Sequence, residues 1–241
     1  MDASFVGLWT HEEAAIHNVE QLASSGCGAT AAVTVLKVLN EPIPPLEMVL
    51  SASVLRYRKN DAPLAQYLAS RSVAGCTGEE IVESVRRLSN NVKGEFVSFS
   101  SLPDTVRLVD WVANKIEEEC CCVATLNLQL FGNDAWHHQL VYGVDKVKRL
   151  IYCTNPVEAY PEYAVMAMMS TPSILLIRKE DILKRKDRLG SDNSIYDDPL
   201  WVQYNVRDQV NAMSKGMNCQ DKHLVIPANY IGGFAVFNKI K

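Results

Sequence analysis

No uninterrupted apolar run in this 241-residue chain approaches the roughly 20 residues that span a bilayer. The best candidate, Cys120 to Leu130, is too short and is interrupted by Asn127 and Gln129. A basic excess is also lacking. With 24 Lys and Arg against 28 Asp and Glu, the net charge of −4 offers no global field for nucleic acid or anionic lipid. Neither nucleic acid nor a membrane is therefore expected as a partner. The opening stretch, MDASFVGLWTHEEAA, lacks a basic segment followed by an apolar one, so no secretory signal is expected. No CxxC pairs with another CxxC or with HxxxH, which leaves a structural zinc site without support. Internal repeats and low-complexity tracts are absent.

Cysteine is present, but not as a disulfide framework. The seven residues are Cys27, Cys76, Cys120, Cys121, Cys122, Cys153 and Cys219. The number is odd and three are consecutive, so neighbours on a strand would point to opposite faces. The pattern fits reduced thiols in a cytoplasmic protein, mostly packed as small hydrophobes. The length and a hydrophobic fraction of 48% allow one large domain with a sizeable core.

Helices dominate the first half. Ala29 to Leu39 is mostly apolar and stops at Asn40-Glu41-Pro42, so it should form a central, buried helix. A second helix is expected from Pro45 to Tyr57. Thr77-Gly78-Glu79-Glu80 reads as a capping box opening a third, and a fourth is expected from Asp104 to Glu119. Cys121 to Phe131, His138 to Val144, Leu150 to Thr154 and Ser173 to Ile177 then read as strands, with Lys146 to Arg149 as a turn. Helices first and sheet second is an α+β order. The charged run from Arg178 to Arg188 reads as a solvated helical face. Asp198-Pro199 should open a helix reaching Lys215 with Gly216 beyond it, and Gly232 to Ile240 a final strand. The expected division is a domain over 1–180 and an extension of helix and strand over 181–241, packed on the same domain or completing its sheet.

One cysteine stands apart. In Gln21-Leu22-Ala23-Ser24-Ser25-Gly26-Cys27-Gly28, a small polar run leads into a cysteine that opens a helix. The unpaired N–H groups and positive dipole end there favour thiolate over thiol. Flanking glycines would let a substrate backbone approach. The Cys27 N–H and the Gln21 amide could together hold an oxyanion. A thiolate nucleophile needs an imidazole partner. Of five histidines, His137 and His138 sit at a strand start, where a ring can be held rigidly. The next strand ends in Asn155-Pro156. A hairpin returns Asn155 beside one of the two rings, where its side-chain oxygen could fix the tautomer. Pro156 should bias Asn155 towards an extended conformation.

Taken together, Gln21 with Cys27-Gly28, then His137 with Gly143 and Asp145, then Asn155-Pro156, resemble the papain-like clan of cysteine peptidases over residues 15 to 180. The nearer likeness is to its compact members, the bacteriocin-leader (double-glycine) peptidases and the phytochelatin-synthase-like transpeptidases. The resemblance implies Cys27 as nucleophile, Gln21 as oxyanion donor and Asn155 as orienter. It implies His137 as base, because the family places a glycine six residues after its histidine; His138 is the competitor. It implies a helical part packed on an antiparallel sheet that carries His and Asn, a peptide or protein substrate, and neither metal nor organic cofactor. An acyltransferase using the same residues, or a catalytically silent binding protein of the same fold, are the alternatives.

Overall fold

The computed structural model describes residues 4–133, 135–185, 193–215 and 222–241. The chain begins with a short strand, β1 (Phe5–Gly7), and a helix, α1 (His11–His17), opened by a capping box between Thr10 and Glu13. Helix α2 (Cys27–Val38) follows, then α3 (Leu46–Ala52) and α4 (Leu64–Ser72). The expected second helix is thus shorter than its apolar pattern suggested and ends at Ala52, with Ser53 as its C-cap. Helix α5 (Gly78–Leu88) starts at the predicted capping box, in which the Glu80 N–H donates to Thr77 Oγ1 and the Thr77 N–H to Glu80 Oε2.

Strand β2 (Val92–Ser98) precedes α6 (Leu108–Glu117), and then come β3 (Cys121–Asn127), β4 (Trp136–Asp145), β5 (Leu150–Cys153) and β6 (Glu158–Pro161). Helix α7 (Glu162–Met169), strand β7 (Ile174–Arg178) and helices α8 (Lys179–Leu183), α9 (Pro199–Gln203) and α10 (Val206–Ser214) lead to β8 (His223–Pro227) and β9 (Gly233–Lys239). The fold class is α+β with antiparallel sheets. Among the described residues, no helix is long and apolar enough to cross a membrane.

Two compact units divide the chain, and neither is contiguous. One comprises Met1–Leu55, Gly75–Thr171 and Tyr230–Lys241; the other comprises Arg56–Ala74 and Pro172–Asn229. These units do not coincide with the expected division at residue 180.

The larger unit holds an antiparallel sheet in the order β2-β9-β3-β4-β5-β6, with β1 pairing the far half of β4. The last strand, expected over Gly232 to Ile240, therefore lies between β2 and β3, and β1 and β2 interrupt the helices-then-sheet order in the first half of the chain. Both sheet faces are covered. On one, Leu36 of α2 and Ile81 of α5 pack with Val123, Leu140 and Phe237. On the other, Val109 and Val112 of α6 and Met168 of α7 pack with Leu126, Val141 and Phe234. Each such fully buried side chain contributes about 1.5–3 kcal/mol.

Double coverage decides the setting of the three consecutive cysteines. Cys120, Cys121 and Cys122 are all buried, with Cys121 on the α2–α5 face and Cys122 on the α6–α7 face. Burial pushes the Cys121, Cys122 and Cys153 thiols well above the usual range, so they are inert packing groups. Met168 and Met169 are core residues.

In the smaller unit, β7 and β8 form a two-stranded antiparallel sheet. The single helix expected from Asp198 to Lys215 is broken into α9 and α10. Asn205 between them is left-handed, with φ 50°. Gln209 fills the break: its amide donates to Tyr204 O at 2.6 Å, and its oxygen accepts from the Val225 N–H at 3.1 Å. Gly216, Cys219 and the end of the charged run at 186–188 lie outside the described residues.

Candidate active site

The segment before α2 is a turn knotted by its own polar groups. The Gly26 N–H donates to Ala23 O at 2.9 Å. Thr30 Oγ1 accepts from the Leu22 N–H at 3.1 Å and donates to Gly26 O at 3.0 Å. Cys27 is the first residue of the helix, and no side chain caps that end. Its first-turn N–H groups have no acceptor within the helix and favour negative charge. The residue is 7% exposed.

The flanking glycines have a different purpose from the one expected. A Cβ on Gly28 would collide with Cys76 Sγ, and one on Gly26 would lie 2.8 Å from Ala23 O. They make room for the protein's own atoms. Gln21 is exposed, and its Nε2 donates to Ala23 O at 2.8 Å. One of its two amide hydrogens is thus spent within the loop, and the other is not needed there.

Strand alternation separates the two rings of the Trp136-His137-His138 stretch. His138 faces the side covered by α2 and α5, opposite Thr125 of β3. Its Nε2 lies 2.9 Å from Cys76 O, and its Nδ1 lies 3.1 Å from Thr125 Oγ1. A carbonyl only accepts, so Nε2 carries the proton and Nδ1 accepts from the Thr125 hydroxyl. Burial pulls this imidazole down to about 4, against the smaller opposing effect of the Cys76 carbonyl. His138 is a neutral ring with both nitrogens occupied.

His137 faces the other side, level with Leu126. Its Nε2 donates to Asn155 O at 2.7 Å. Burial lowers its pKa, partly opposed by that bond and by the nearby Glu158 carboxylate. The neutral ring therefore keeps its lone pair on Nδ1.

The hairpin does bring Asn155 to His137, but the acceptor is the main-chain carbonyl and not the side-chain amide. Asn155 is also left-handed, at φ 60°, and not extended. Asparagine tolerates this conformation better than most residues. Its N–H donates to Asn18 Oδ1 at 3.0 Å, across 137 positions, which ties the stretch leading to Cys27 to the turn that holds His137. Trp136 is buried, stacked on Tyr230 with centroids 5.7 Å apart and planes 8° from parallel.

Asn18, Thr125 and Cys76 were not among the residues expected at the site. Their contacts join distant stretches and leave no local signal. Among the described residues, no group of three His, Cys, Asp or Glu side chains could hold a metal ion. No protein-family model and no curated protein matches the chain.

Proposed function

We propose that this protein is a thiol-dependent amide hydrolase, a cysteine peptidase of papain-like fold, with Cys27 as nucleophile and His137 as base. The observation that carries the reading is the 2.7 Å bond from His137 Nε2 to Asn155 O, which presets a neutral ring with Nδ1 as its basic nitrogen. The place of Cys27 as the first residue of α2, at the positive end of its dipole, and the Asn18–Asn155 bond support it.

The proposed reaction begins when neutral His137 takes the Cys27 thiol proton on Nδ1 and the resulting thiolate attacks an amide carbonyl carbon. The Cys27 N–H and the second amide hydrogen of Gln21 stabilise the oxyanion. Imidazolium at His137 protonates the leaving nitrogen as the C–N bond breaks, leaving a thioester. Neutral His137 then takes a proton from water, which attacks the thioester and frees carboxylate and Cys27. An amine in place of water gives acyl transfer. The chemistry needs no cofactor, and the cysteine pattern suits a reducing cytoplasm.

His138 is the second reading for the base, favoured by its place on the sheet face that α2 covers. Its occupied nitrogens and a pKa near 4 weigh against it. The test is product analysis on a peptide library with and without added amine. Cleavage or amine-capped products that vanish in Cys27→Ala support the reading. Biological activity unchanged in Cys27→Ala would leave a binding protein of the same fold, and turnover unchanged in that variant would refute Cys27 as the nucleophile.

A further inference from the structure

Gln139 lies two residues beyond His137 on β4, on the same sheet face, and is fully buried. Its Nε2 points at three successive carbonyls: Thr154 O at 3.3 Å, Asn155 O at 3.3 Å and Pro156 O at 3.4 Å. Each bond is long, but together they fix which way the amide faces. Turned over, the amide would set its oxygen against three carbonyl oxygens. In the observed orientation Oε1 is buried with no hydrogen-bond partner.

An apolar residue at this strand position would avoid that unmet acceptor, so stability alone does not account for a glutamine here. What the glutamine does achieve is grip. Asn155 O accepts from both Gln139 Nε2 and His137 Nε2, so the residue that holds the turn shares its acceptor with the ring. Position matters because a base in the wrong tautomer or displaced by an ångström loses most of its effect.

Resting on the reading of His137 as base, we infer that Gln139 is a positioning residue whose amide clamps the Thr154–Pro156 turn, so that the Asn155 carbonyl holds His137 with its proton on Nε2. The clamp acts through the carbonyl and touches no substrate.

Long-range proton–nitrogen NMR on protein carrying 15N-labelled histidine reads the tautomer of each ring. In Gln139→Met, the single Nε2–H signature of His137 should give way to a mixture. That of His138, held by Cys76 and Thr125, should stay and serve as the internal control. Alkylation of Cys27 by iodoacetamide should slow by about 100-fold, the loss expected for a misplaced catalytic group. An unchanged His137 tautomer in the folded variant overturns the inference. In the intact protein, the Gln139 side-chain amide hydrogens should exchange with solvent far more slowly than those of exposed Gln21; equal rates overturn the inference even if the variant fails to fold. The tautomer readout does not depend on turnover. A tautomer shift in a protein with an inert Cys27 would sink the peptidase reading and keep the clamp, whereas an active enzyme with an unmoved tautomer would sink the clamp alone.

Discussion

His138 is 1% exposed, and both of its ring nitrogens are engaged, so protonating it in the folded state means breaking the bond from the Thr125 hydroxyl. Unfolded, the same ring titrates near 6.5; folded, burial holds it at about 4. The sign follows from proton counting. Between these values the unfolded chain binds a proton that the folded one does not, so acid favours unfolding. The stabilising contribution is complete above pH 6.5 and is lost as pH falls through about 4. The slope is about 1.4 kcal/mol per pH unit, and the whole window is worth roughly 3 kcal/mol. That is a large part of a typical 5–15 kcal/mol total. Urea unfolding of wild type and His138→Gln between pH 4.5 and 7.5 isolates the effect, because other groups titrate in both proteins. Wild-type stability should fall more steeply with acid, and the two curves should converge. Parallel curves would refute the reasoning and mean that the ring is accessible to protons in the folded state.

Two further outcomes rest on packing and capping. Gly28→Ala should cost about 1–3 kcal/mol in urea unfolding, because the new methyl meets Cys76 Sγ, and Cys76→Ala in the same chain should restore part of the loss. Thr77→Ala should cost about 1 kcal/mol by the same assay, since it leaves the Glu80 N–H without its cap.

Local signals in the sequence carried a good part of the architecture. The capping box at Thr77, the apolar helix after Gly26 and the hairpin turning at Lys146 to Arg149 are each decided by residues a few positions apart. What could not be read is non-local. Strands β1, β2 and β9 find partners up to about 150 positions away, and nothing in Phe5–Gly7 or Val92–Ser98 announces them. Helix α7 is short and apolar nearly all round, so no periodic stripe announces it as a helix. At the site, alternation foretold that His137 and His138 would diverge. Which ring keeps a nitrogen to spare was not legible, because the deciding carbonyls belong to Cys76 and Asn155, 62 and 18 positions from their partners. Nor could the sequence tell that Asn155 would use its main chain, since that depends on a left-handed turn held by Asn18 and Gln139.

Limiting alkylation reports on the proposed pairing of sulfur and imidazole without knowledge of the substrate. Iodoacetamide at substoichiometric dose, followed by mass spectrometry, should modify Cys27 well ahead of the other six thiols between pH 5 and 7. In His137→Ala, that early reactivity should disappear, and Cys27 should react only as pH approaches the ordinary thiol range. Uniform labelling of all seven cysteines, or a Cys27 whose reactivity ignores the loss of His137, would contradict the account.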